Sequence, residues 1–124
     1  MASKDKDSSA KTFAVAAEKA NIYVYRNETM GAAVKMPVVL NGRLAGDTAS
    51  KTYLKLEVPA GEHTLISKTE NDSVLKLNAS PGKNYFVWQE VKMGMFTARS
   101  ELQLVDEAKG KAGVMECKMV QEMY

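Results

Sequence analysis

Apolar and polar residues alternate with a period of two along much of this chain. In Tyr53-Leu-Lys-Leu-Glu-Val58, Leu54, Leu56 and Val58 face one way while Tyr53, Lys55 and Glu57 face the other. A half-buried strand has this pattern. Val74-Leu-Lys-Leu-Asn-Ala79 repeats it with Leu75, Leu77 and Ala79 on one face, and Ser100-Glu-Leu-Gln-Leu-Val105 alternates in the same way. Asn21-Ile-Tyr-Val-Tyr-Arg26 is rich in β-branched and aromatic residues and predicts a strand that Asn27 ends. Asn41-Gly42 lies between two apolar runs, a strong hairpin signal because both turn positions need positive φ. Pro59-Ala-Gly61 turns the chain and His63-Thr-Leu-Ile-Ser-Lys68 returns, while Glu70-Asn-Asp-Ser73 is a loop by composition.

The segment Ser80-Pro-Gly-Lys-Asn-Tyr-Phe-Val-Trp-Gln-Glu-Val-Lys-Met-Gly94 is a Pro-Gly turn feeding a long aromatic strand over residues 84 to 92. Tyr85, Val87 and Val91 share one face; Phe86 and Trp88 share the other. A strand with two apolar faces needs cover on both, so Trp88 is expected to be substantially buried. After Val105 the period changes. Ala108, Ala112, Met115 and Met119 recur at three to four residues behind the acidic start Asp106-Glu107, which favours a short helix despite Gly110 and Gly113. The alternative is a strand over residues 114–120 with Met115, Cys117 and Met119 inward.

Many short strands joined by tight turns predict a mainly β fold: a small antiparallel β-sandwich or partly open barrel with a short C-terminal helix. The turns at Asn41-Gly42, Pro59–Gly61 and Pro81-Gly82 are expected to join antiparallel neighbours. Residues 1–10, Met-Ala-Ser-Lys-Asp-Lys-Asp-Ser-Ser-Ala, are short, polar and charged and read as a flexible tail. Residues 11–124 read as a single β-sandwich domain, since 124 residues fit one domain that buries a core without disulfides.

Composition narrows the function classes. Net charge is +2 with both signs mixed, which gives no reason to expect nucleic acid as a partner. No apolar run is long enough to span a bilayer. The single cysteine, Cys117, excludes an internal disulfide and is expected to be a small buried hydrophobe.

No catalytic, cofactor or metal residues are assigned. There is no Gly-x-Ser-x-Gly elbow and no phosphate loop. His63, the only histidine, follows a turn glycine and is expected to be satisfied or exposed. Met93, Met95, Met115, Cys117 and Met119 would suit Cu(I) if they met in space, but Met commonly fills core gaps. Tyr23, Tyr25 and Tyr53 are the candidate interaction surface: exposed aromatics stack on sugar rings or on a protein partner. The competing reading packs them under the C-terminal helix. Arg26 ends an apolar face and invites an acidic partner, with Glu90 as candidate.

The order of motifs resembles one family. The run Ile22-Tyr-Val-Tyr-Arg26, then Val39-Leu-Asn-Gly42 with Leu44-Ala-Gly46, then Tyr53 to Leu65, then Pro81-Gly-Lys-Asn-Tyr-Phe-Val-Trp-Gln89, and finally Leu104-Val-Asp-Glu-Ala-Lys-Gly110, is similar to the bacterial lipoprotein family catalogued as domain of unknown function 2846. The resemblance covers residues about 20 to 118. It implies a location in the bacterial periplasm or at the outer membrane, with the membrane reached only through a lipid anchor. Residues 1–10 carry no lipoprotein signal, so the expectation is that one was removed ahead of Met1. The function expected is a non-enzymatic, envelope-associated β domain that binds a protein, glycan or other envelope component. The alternative is a small copper carrier or an enzyme with an unrecognised site. Oligomeric state is left open.

Overall fold

The computed structural model describes residues 1–28, 34–69, 71–93 and 98–121. In chain order the elements are α1 (Lys4–Ala10), β1 (Lys19–Arg26), β2 (Met36–Leu40), β3 (Arg43–Thr48), β4 (Thr52–Pro59), β5 (Gly61–Lys68), β6 (Asp72–Ala79), β7 (Lys83–Met93), β8 (Ala98–Val105), α2 (Glu107–Met115) and β9 (Lys118–Met119). The strands form two stacked sheets. The first is five-stranded in the order β8-β7-β1-β4-β9, the second four-stranded in the order β3-β2-β5-β6. The fold is a mainly β sandwich that does not close into a barrel, with a short helix near the C-terminus.

The second sheet is antiparallel throughout, but the first is mixed: β1 runs parallel to β7, and β4 parallel to β9. The sandwich is mainly antiparallel, as expected, and these two parallel contacts are the departures from it. Local turn signals report only the strand that comes next in sequence, whereas β1 and β7 meet after five strands have intervened. The turns divide in the same way. Asn41 and Gly42 take φ of 51° and 83° and close the β2–β3 hairpin as expected. The other two turns do not join hydrogen-bonded neighbours. Pro59–Gly61 carries the chain from β4 in the first sheet to β5 in the second, and Pro81-Gly82 carries it back from β6 to β7. Their glycines do take positive φ, 126° at Gly61 and 77° at Gly82. Such corners bend the chain as sharply as a hairpin, so the same residues serve both.

Two apolar cores flank the first sheet. Between the sheets lie Ile22, Val24, Val38, Leu40, Leu54, Leu56, Leu65, Leu77 and Val87. On the outer side of the first sheet, Tyr23, Tyr25, Tyr53, Phe86, Val114, Cys117 and Met119 pack together with Phe13 and Trp88 against them. The double-faced character of β7 thus has a direct cause: Val87 enters one core and Phe86 the other. Trp88 is half-buried at the margin of the outer core, less enclosed than expected. Lys109 Nζ lies 4.8 Å from its ring centroid, so a lysine rather than core covers that flank.

Residues 4–10 are a helix, not a flexible tail. Ser3 caps it, its hydroxyl accepting from the Lys6 N–H at 3.2 Å. The Ala2 N–H donates to Met119 O at 3.0 Å, and Ala10 is buried. Composition under-reads this segment because what holds it is supplied from elsewhere in the chain. Two tyrosine hydroxyls donate to it, as described below.

The C-terminal segment resolves both readings of it. Glu107–Met115 is helical, capped by the Asp106 carboxylate accepting from the Lys109 N–H at 2.8 Å; Lys118–Met119 is then a strand beside β4. The face the helix buries is not the expected one. Ala108, Ala112 and Met115 are exposed, and Gly110, Gly113 and Val114 face the sheet.

Candidate functional site

The three tyrosines singled out from the sequence are buried, which corrects their reading as an exposed surface. Tyr23, Tyr25 and Tyr53 are 0%, 1% and 0% exposed. They lie on the helix-covered face of the first sheet and hold the helices down. Tyr23 donates to Ala10 O at 2.9 Å, and Tyr53 donates to Asp7 Oδ1 at 2.6 Å. Tyr25 lies beneath α2 at Gly113. The rings stack as a set: Tyr23 is 5.2 Å from Phe86 and 5.4 Å from Phe13, centroid to centroid. Burial pushes the Tyr23 and Tyr25 hydroxyls up to about 12. Tyr53 is raised further, first by burial and then by its bond to the Asp7 carboxylate.

The reactive groups are likewise spent on structure. His63 is 6% exposed. Its Nε2 lies 2.7 Å from Pro59 O and its Nδ1 2.9 Å from Asn41 Nδ2. A carbonyl only accepts, so the bonds assign the Nε2–H tautomer, with Nδ1 accepting from Asn41. Asn41 Oδ1 in turn accepts from the Thr64 N–H at 2.8 Å. This chain of bonds ties the Asn41-Gly42 hairpin to the Pro59 corner. The Cys117 thiol is buried and donates to Arg26 O at 3.3 Å; burial pushes it up to about 12, far from a thiolate. Cys117 and Met119 enter the aromatic core while Met115 is exposed, so these three do not converge. Met95 lies outside the described residues. Among the described residues no three His, Cys, Asp or Glu side chains group as metal ligands.

Sequence reasoning missed a polar chain inside the sandwich. Arg26, fully buried, donates to Val34 O at 2.8 Å, to Thr48 O at 3.1 Å and to Glu28 Oε1 at 3.2 Å. Glu28, not Glu90, is the carboxylate it meets; Glu90 accepts instead from Gln103. From Thr48 the chain continues across the interior. The Thr48 hydroxyl donates to Gln89 Oε1 at 2.5 Å, Gln89 Nε2 donates to Ser67 Oγ at 2.7 Å, and the Ser67 and Ser100 hydroxyls are hydrogen-bonded to each other at 2.5 Å. Thr48, Ser67, Gln89 and Ser100 are all buried. They link β3, β5, β7 and β8, hence both sheets. A satisfied buried network of this kind fixes one alignment of the sheets. Its signal was present: Ser67 shares parity with Leu65, and Gln89 with Val87.

What the fold leaves open is the outer face of the second sheet. Both helices pack on the first sheet. On the second, one residue from each strand lines up across all four: Leu44 opposite Val39, Val39 opposite Ile66, Ile66 opposite Val74. Leu44 is 42% exposed and Val74 54%, with Val39 and Ile66 half-buried between them. Their strand neighbours Val38, Leu40, Ala45 and Leu65 point inward to the core. The same outer face carries Asp47, Glu62, Lys68, Asp72 and Lys76, and no aromatic side chain among the described residues. Opposite signs are mixed, and among the described residues of this face only Lys68 and Asp72 pair, at 3.0 Å.

The structure is thus a two-sheet β sandwich with helices on the outer side of one sheet and an open aliphatic row on the outer side of the other. The chain belongs to the family described as "Protein of unknown function (DUF2846)", matched over residues 16–101. It is similar to an uncharacterised protein of Haemophilus influenzae, 32% identical over 122 residues, covering 96% of this chain and 72% of that protein. No solved structure matches it. Among the described residues no helix is long and apolar enough to cross a membrane.

Proposed function

We propose that this chain is a non-catalytic domain of the bacterial cell envelope that holds a protein partner on the open face of its second sheet. The observation that carries the reading is the Leu44–Val39–Ile66–Val74 row, in register over four strands and in part exposed. Contiguous exposed apolar side chains rimmed by charge favour a protein contact. A glycan fits less well, because the stacking aromatics are buried and the outer face of the second sheet carries none among the described residues. The buried states of His63 and Cys117 support a non-catalytic role. The envelope location rests on the lipoprotein character that the family resemblance implies.

The test uses the natural gene in its own bacterium, with a photo-crosslinking amino acid at position 74 or, as control, at the exposed Met115. The reading predicts a discrete protein adduct at position 74, in the envelope fraction, that is absent at position 115 and lost on adding Ile66→Lys. Equal labelling at both positions, or recovery of the protein outside the envelope, would contradict it.

A further inference from the structure

We propose that the partner on this open face is a second copy of the same chain, docked face to face about a two-fold axis that runs along the aliphatic row. The inference rests on the interaction face assigned above and adds its occupant.

The geometry that points to a second copy is the charge on either side of the row. On β6, Val74 lies in the row, Asp72 lies two residues to one side and Lys76 two residues to the other. All three are on the outer, exposed face of that strand. On β5 the corresponding residues are Ile66 in the row, with Lys68 beside Asp72 and Thr64 beside Lys76. A two-fold axis along the row leaves each row residue opposite itself and exchanges the two sides. Asp72 of one copy then faces Lys76 of the other, and the contact occurs twice. Lys68 faces Thr64, so no cation meets a cation. Aliphatic side chains meet like side chains at the centre: Ile66 on Ile66 and Val39 on Val39. An isologous interface demands this self-complementarity, and two sheet faces packed in this way keep their strand directions within about 30°.

The charges also argue against other occupants. Lys76 has no ion-pair partner among the described residues, whereas Asp72 already leans on Lys68. Among the described residues of this face an anionic lipid surface would meet Asp47, Glu62 and Asp72 against Lys68 and Lys76, a balance that repels it. The second copy is the occupant that uses both signs.

Sedimentation equilibrium over a concentration series tests the proposal with the purified chain. The wild type is expected to associate to a dimer and no further, because the two-fold contact closes on itself. Val74→Asp, on an exposed position, should give monomers with an unchanged circular dichroism spectrum. Asp72→Lys and Lys76→Asp should each weaken the dimer roughly tenfold, since each removes two partly exposed ion pairs per dimer. The double variant Asp72→Lys/Lys76→Asp should restore it. The two residues are four apart on one strand and do not meet within a chain, so restoration requires contact between copies. A wild type that stays monomeric throughout, or folded double variants that fail to recover, would overturn the proposal. A monomer that still gives the position-74 adduct with another protein in cells would sink the dimer and leave the binding role standing. A monomer with no such adduct would remove both.

Discussion

Replacing Gly110 by alanine sets two effects of known sign against each other. Within an exposed helix, Gly to Ala is stabilising by about 0.8–1 kcal/mol through backbone entropy. At Gly110 the added Cβ would lie 2.1 Å from Phe86 Cβ and 2.2 Å from Phe86 Cγ. Phe86 Cβ is fixed to β7, so it has no rotamer by which to retreat. To reach ordinary contact at 3.4 Å, α2 must lift by about 1.3 Å, the difference between 3.4 and 2.1 Å. A lift of that size forfeits much of the dispersion between α2 and the aromatic core, and overpacking of this kind costs about 1–3 kcal/mol. Because Phe86 Cβ cannot retreat, the cost falls in the upper part of that range, about 2–3 kcal/mol, and the clash should win with a net loss of about 1–2 kcal/mol after the propensity gain. Urea unfolding followed by Trp88 fluorescence measures it, since Trp88 borders the same core and lies under Lys109 of the helix. The midpoint should fall by about 1 M at an unchanged slope. Ala112→Gly in the exposed face of the same helix serves as control: it should lose about 1 kcal/mol by propensity alone. If Gly110→Ala were as stable as the wild type or more so, α2 would not be seated on Phe86 and the three-layer arrangement would be wrong.

Three further outcomes follow from the interior. Gln89→Leu removes the two bonds by which Gln89 joins Thr48 to Ser67, leaving those hydroxyls Met36 O and Ser100 Oγ, and should cost about 1–3 kcal/mol in chemical denaturation; a neutral effect would show that the polar chain carries no stability. Tyr23 and Tyr25 have folded-state values near 12, above the unfolded value of about 10. Their contribution is therefore complete below about pH 10 and is lost as pH rises toward 12. Near-ultraviolet phenolate absorbance should show Tyr85 ionising before Tyr23, Tyr25 and Tyr53, because the Ser80 N–H donating to its oxygen lowers it, while those three ionise only as the fold opens. Titration of Tyr23, Tyr25 and Tyr53 together with Tyr85 in folded protein would contradict the burial. Trp88→Ala should cost about 2 kcal/mol, below the 3–5 kcal/mol of a fully enclosed aromatic, and Trp88 emission should lie between that of buried and of free tryptophan.

The parts of this fold legible in the sequence are those decided within a few residues. The alternation in β4 and β6 and the positive φ at Asn41-Gly42 are properties of single strands and turns. The parallel contact of β1 with β7 is not local, and nothing in either strand announces its partner. Pro59–Gly61 and Pro81-Gly82 misled for a related reason: a corner between sheets and a hairpin within one ask the same of the backbone. The face of α2 inverted because its contact residues are Gly110 and Gly113, which register in no hydropathy pattern yet permit the close approach of Phe86 and Tyr25. Parity along a strand does not say which stretch of a face is covered. Tyr53 shares a strand face with Lys55 and Glu57, but only its end of that face lies under α1. The aliphatic row on the second sheet was invisible for a simpler reason. Val39, Leu44, Ile66 and Val74 each look incidental on their own strand and form a surface only when the registers are known.

The claim on which the functional account stands is that one outer sheet face is closed by helices while the other is open and adhesive. Paramagnetic attenuation of side-chain NMR signals by a soluble, neutral relaxation agent tests both halves at once. In dilute protein the methyl signals of Val39, Leu44, Ile66 and Val74 should be attenuated, while those of Ile22, Val24, Leu54 and Val87 and the rings of Tyr23, Tyr53 and Phe86 stay shielded. On concentration the row should become shielded as the face is occupied. A row shielded as deeply as the core in dilute protein, or tyrosine rings attenuated alongside it, would contradict the account.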